Sequence, residues 1–95
     1  MARSWRLLHQ SKCVKMDDTV ITLASYNING FESNKDFVVD LCNQNEHMIL
    51  GLQETWLNDE ILESETHIDG YVNYRQDRGG DRKGGGTATY IYVPP

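Results

Sequence analysis

Glu54 is the residue whose setting first suggests chemistry. It follows Met48-Ile49-Leu50-Gly51-Leu52-Gln53, an apolar run of strand length. Such a strand is normally buried on both faces, as in a parallel sheet covered by helices. A carboxylate placed where the strand leaves the core sits on the rim, where open α/β sheets hold their ligands. Asn27 stands in the same way near the end of Thr19 to Ile28, an earlier stretch rich in β-branched and aromatic residues. An amide oxygen and a carboxylate meeting on one rim suit a hard divalent cation. Magnesium takes one or two protein carboxylates and fills the rest of its octahedron with water and substrate phosphate. Blander readings stand beside this one: Glu54 caps the turn that follows or meets solvent, and Asn29-Gly30 is a common turn dipeptide.

For those two strand ends to meet, the elements between them must bring them to one edge. Phe37, Val38, Leu41 and Cys42 recur at helical spacing, and Ser33 with Asp36 reads as a variant N-terminal capping box, giving a helix from about Asn34 to Gln44. Strand, helix and strand from Thr19 to Glu54 make a βαβ unit, whose two strands run parallel. Both then end at the same edge, with Asn27 and Asn29 on the rim that carries Glu54. Further on, Asn58-Asp59-Glu60-Ile61-Leu62 starts like a short helix, Tyr71 to Arg75 reads as a strand, and Thr87 to Val93 alternates as another. Between those strands lies a glycine-rich basic loop with Arg75, Arg78, Arg82 and Lys83, which either follows a phosphate backbone or is a solvated connection. Trp56 and Tyr26 could touch substrate, but an aromatic beside a strand end is more often a packing anchor, and both are left out of the site.

Composition bounds what such a site serves. The 95 residues make one small domain of α/β class, 39% hydrophobic and 24% charged, with a net charge of -5. Residues 1–16 hold four basic residues and no acid, so 1–18 reads as a flexible basic leader, with a mitochondrial presequence as the other reading. From Asp17 onward fourteen acids face five bases, which argues against binding nucleic acid by bulk charge alone. Two cysteines are too few for a disulfide framework, so a reducing, intracellular compartment (nucleus or cytoplasm) is expected. No apolar run reaches the roughly 20 residues that span a bilayer, so no membrane partner is expected.

Ile21-Thr22-Leu23-Ala24-Ser25-Tyr26-Asn27-Ile28-Asn29-Gly30, followed by Leu50-Gly51-Leu52-Gln53-Glu54-Thr55, resembles the N-terminal half of the endonuclease/exonuclease/phosphatase superfamily. Tyr74-Arg75, Asp77-Arg78 and Gly84-Gly85-Gly86-Thr87-Ala88-Thr89-Tyr90-Ile91 look most like its branch of non-LTR retrotransposon endonucleases. The resemblance implies a partial four-layer α/β sandwich (DNase-like) over residues 19–95, truncated at the C-terminus. It also implies a phosphodiester hydrolase acting on nucleic acid, DNA above all, with Mg2+ or Mn2+ as cofactor. Asn27 would match the family's first-strand active-site Asn, Glu54 its metal-binding Glu, and Asn29 a neighbouring polar position. Candidate substrate contacts are Asn29, Arg75, Arg78, Arg82 and Lys83. The family's Asp-x-Asn and Asp-His pairs occur nowhere in the sequence, and His9, His47 and His67 lie outside its motifs. Two outcomes follow from that departure. Either the chain is the metal-binding half of a nuclease domain, inactive alone and inclined to self-associate or to take a completing partner, or it is a non-catalytic retroelement-derived remnant, a small α/β binding module.

Overall fold

The computed structural model describes residues 9–16, 19–78 and 84–94. Five strands form one mixed sheet: β1 (His9–Met16), β2 (Thr19–Asn27), β3 (Met48–Gln53), β4 (Tyr71–Gln76) and β5 (Thr87–Tyr92), in the spatial order β1-β2-β3-β5-β4. Helix α1 (Lys35–Gln44) connects β2 to β3, and the single turn α2 (Glu63–Thr66) precedes β4. β2 and β3 are parallel, with Asn27 opposite Gln53, as a βαβ crossover requires. Every other pairing is antiparallel.

Alternation along the strands sorts the side chains into two faces. On the inner face Ala24 and Tyr26, then Met48, Leu50 and Leu52, then Ala88 and Tyr90 are buried. α1 lays Val38 and Cys42 onto this face, with Phe37 edge-on to Tyr26 at 5.3 Å between ring centroids. Leu57 and Ile68, from the segment around α2, complete the layer. Complete burial of side chains such as Leu50 or Met48 contributes roughly 1.5–3 kcal/mol each. Burial also raises the pKa of the Cys42 thiol to about 12, so this cysteine stays protonated at neutral pH.

The outer face is open, which corrects the expectation that β3 is buried on both sides. Ile49 keeps 38% of its surface exposed, beside Leu50 with none. Strand register arranges this face in rows. Leu23, Ile49, Ile91 and Val72 form an apolar row; Ser25, Gly51, Thr89 and Tyr74 form the next; Asn27, Gln53, Thr87 and Gln76 form a polar row at the rim.

Three local readings change. The expected flexible leader contains strand β1, paired with β2 from His9↔Tyr26 to Met16↔Thr19; residues 1–8 and 17–18 lie outside the described residues. An edge strand pairs through its backbone and demands little of its side chains, so a weak pattern concealed it. The capping box at Ser33 does not form: Asn34 occupies the cap position without a side-chain cap bond, and its Nδ2 instead donates to the carbonyls of Ile28 and Gly30, both at 2.9 Å. The helix expected at Asn58 is a turn, in which Asn58 Oδ1 accepts the Glu60 N–H at 2.9 Å. An Asn side chain that closes a turn on its own backbone satisfies the groups a helix would need.

The two faces of β3 predict opposite mutational costs. Leu50→Ala should lower unfolding stability by about 2–5 kcal/mol, and Ile49→Ala by a small fraction of that, measured by chemical denaturation. Equal losses would show that the outer face is covered. Hydrogen exchange should protect alternate amides of His9–Met16 as part of the β1–β2 ladder, and uniform fast exchange there would remove β1 from the sheet.

Candidate functional site

The direction of each strand assembles the site. β2 and β3 run parallel, so Asn27 and Gln53 end together, and the chain beyond them stays in contact: the N–H groups of Ile28, Gly30 and Phe31 donate to the carbonyls of Gln53, Glu54 and Thr55 at 2.9, 2.9 and 2.8 Å. β5 runs antiparallel to β3 and starts at Thr87 opposite Gln53. The glycines before it therefore arrive beside Glu54. Thr55 N–H donates to the Gly86 carbonyl at 3.2 Å and Trp56 N–H to the Gly85 carbonyl at 2.9 Å, extending the ladder past the strand. β4 ends at Gln76 on the same edge, which delivers Arg78.

Gly84, Gly85 and Gly86 all have φ between 74° and 88°, a region that ordinary side chains avoid. At Gly86 a Cβ would stand 2.6 Å from the hydroxyl of buried Thr55. Asn29, Glu54 and Trp56 also have positive φ, at 49°, 57° and 58°. Each such non-glycine residue costs of order 1–3 kcal/mol, a strain that clusters at working sites. The only other non-glycine example among the described residues is His47, at the opposite end of the sheet.

Glu54 is held by one oxygen. Its Oε1 accepts the Trp56 indole N–H at 3.1 Å and the Gly85 backbone N–H at 3.2 Å. Its Oε2 takes no hydrogen bond among the described residues. The Trp56 indole, then the Gly85 amide and the charge of Arg78, hold the carboxyl below the usual glutamate range in spite of some desolvation. An ionised carboxylate with one unbonded oxygen is the kind of hard donor that a divalent cation takes, and Asn27 ends the adjacent strand opposite Gln53. Among the described residues no three His, Cys, Asp or Glu side chains cluster as metal ligands, so a closed zinc-type cage is not what this rim resembles.

The expected site residues separate into three groups. Asn27, Asn29, Glu54 and Arg78 lie at the same edge of the sheet, with the charge of Arg78 acting on Glu54. Arg75 does not: it points to the inner face, where Asp77 grips it through two bonds of 3.1 and 2.7 Å and the Asn58 carbonyl through a third at 2.8 Å. Its role is to tie β4 to the loop after Trp56, because a guanidinium so nearly buried needs such partners. Arg82 and Lys83 lie outside the described residues. His67 pairs with Asp69 in solvent, and His47 lies edge-on to Tyr92 at the opposite end of the sheet from the rim.

Sequence reading missed Trp56 and Gly85 as the groups that hold Glu54. A Trp two residues after the carboxylate, with a triple glycine opposite, was the available signal. Two open concavities lined by described residues lie elsewhere, one of about 410 Å³ between Glu63, His67 and Asn73, another of about 210 Å³ around His47 and Tyr92. Neither gathers a comparable donor set, so the chemistry of the rim outweighs their size.

In an NMR carboxyl titration Glu54 should ionise below the ordinary glutamate pKa, and Trp56→Phe should move it upward. A depressed folded pKa means that Glu54 contributes stability above its unfolded pKa and loses it as pH falls through the folded value. An ordinary titration in the parent chain would remove the two donors from the site.

No curated protein and no solved structure matches the chain. Residues 24–91 match the Endonuclease/Exonuclease/phosphatase family. That span opens inside β2, closes inside β5, and contains Asn27, Glu54 and the triple glycine. Its α/β sheet is the kind expected of this DNase-like family. A match over most of the chain, carrying both strand ends of the rim, makes this protein a member of the endonuclease/exonuclease/phosphatase family.

Proposed function

We propose that this chain supplies the metal-holding end of a divalent-metal-dependent phosphodiesterase acting on nucleic acid, DNA in the first instance. The retrotransposon-like run from Tyr74 to Ile91 supports placing it in the non-LTR retrotransposon branch of the family. The observation that carries the reading is the one-sided grip on Glu54: Trp56 and Gly85 occupy Oε1 and leave Oε2 for a cation. Asn27 is the second ligand, a neutral oxygen from the adjacent strand end. A magnesium or manganese ion bound there would polarise a phosphoryl oxygen and stabilise the leaving group.

The protein groups do the positioning. Ionised Glu54 is fixed before any ligand arrives, so no reorganisation is spent at the moment of reaction. Asn29 stands beside it in a strained backbone position. Arg78 offers the positive charge that a phosphate backbone needs, and Arg82 and Lys83 follow it in sequence. The sequence carries no Asp-x-Asn and no Asp-His pair, the groups that the family resemblance assigns to nucleophile activation. Residues that act as a unit lose most of their rate when one is absent, often roughly 10⁴-fold or more. We infer that the chain alone binds metal without cleaving.

Calorimetry with Mg2+ or Mn2+ should show binding that Glu54→Gln weakens at least about tenfold, since it removes the only full charge from the ligand set. In a plasmid-nicking and abasic-site assay the parent chain should be inactive. Metal binding unaffected by Glu54→Gln would overturn the metal site. Nicking by the parent that Glu54→Ala abolishes would overturn the inactivity and require a base within this chain.

A further inference from the structure

Trp56 exposes 49% of its surface, yet it is fixed on several sides. Its indole N–H is committed to Glu54 Oε1 at 3.1 Å. Its six-membered ring lies where a Cβ at Gly30 would stand, 2.7 Å from Cε3, and its pyrrole edge passes Gly84. Its own backbone is left-handed, at φ 58°, which is a true outlier for so bulky a residue. A tryptophan that served packing alone would be buried in an ordinary conformation. Here strain and two glycines are spent on holding half an indole in solvent, next to the carboxylate of the site.

We propose that Trp56 is a stacking platform for one unpaired nucleobase, which places the adjoining phosphate at Glu54. The proposal rests on the phosphodiesterase reading and names the form of its substrate: a nucleotide already unstacked from its duplex. Charge supports this choice. The chain has a net charge of -5, so backbone attraction is weak and affinity must come from contacts that need no net charge. Stacking is such a contact, because every base has a π-face. The exposed polar row of Asn27, Gln53, Thr87 and Gln76 lies along the same rim and offers carboxamides and a hydroxyl to a base edge or sugar.

The test is fluorescence titration of the full chain carrying Trp5→Phe, so that Trp56 alone reports, in chelator and without divalent metal. The probes are a deoxythymidine oligomer, a uridine oligomer, a duplex, and a base-free deoxyribose-phosphate oligomer of equal length and charge. Base-bearing single strands should quench Trp56 and bind roughly 5- to 150-fold more tightly than the base-free strand, the range expected of one stacked base. The two single-stranded probes separate deoxyribose from ribose substrates, and the duplex should resemble the base-free strand. In the Trp56 variants, which lack the reporter, binding is read by anisotropy of the same probes carrying an end label: Trp56→Phe should keep most of the preference and Trp56→Ala should erase it. Glu54→Gln still offers an acceptor to the indole, so it should lose metal binding while keeping the base preference; the two readings therefore fail separately. Equal binding of base-bearing and base-free strands, no binding of either, or a preference that survives Trp56→Ala would overturn the proposal. If Trp56→Ala does not fold, quenching and base preference in the parent chain decide.

Discussion

The antiparallel entry of β5 between β3 and β4 is the constraint on which the rim depends. β2 and β3, being parallel, bring Asn27 and Glu54 to one edge but leave the carboxylate to find its own orientation. Because β5 begins opposite Gln53, the glycines before it must pass Glu54, and the Gly85 amide becomes its second donor. A strand inserted parallel to β3 would have delivered its opposite end, Tyr92, to this edge instead. The three left-handed glycines are what allow the chain to turn into β5 at so short a distance from Thr55.

Much of this was legible in the sequence where the periodicity was strong. The β-branched run of β2, the apolar run of β3 and the 3.6-residue spacing of Phe37, Val38, Leu41 and Cys42 each specify their element locally, and the crossover rule then fixes which ends meet. Strand order was not legible, because pairing β5 with β3 depends on contacts between segments some forty residues apart. Arg75 shows the same limit. Its position in a basic loop suggested a phosphate contact, but strand alternation turns it to the inner face, where Asp77 and Asn58 are waiting. β1 was hidden for a different reason: an edge strand is held by backbone pairing that leaves little trace in residue type.

Trp56 illustrates how a local rule can mislead about a site. Aromatic residues beside strand ends usually anchor packing, and the neighbouring Leu57 and Thr55 are indeed buried. The left-handed residue Glu54 shifts the alternation of β3 by one position, so Thr55 and Leu57 go in and the indole between them emerges. Local preference and global placement disagree at this residue, and such disagreements collect where a protein gives up stability for a function.

The open outer face has a polarity of its own. At one end it presents the hydrocarbon of Leu23, Ile49, Ile91 and Val72, and at the other the amides and hydroxyl of Asn27, Gln53, Thr87 and Gln76. A layer laid over it in reverse would press apolar groups onto those amides and leave each buried donor or acceptor unpaired, at about 1–3 kcal/mol apiece. The sheet thus works as a compass. Any second layer that packs here is told which of its ends faces the carboxylate before a single specific contact has formed.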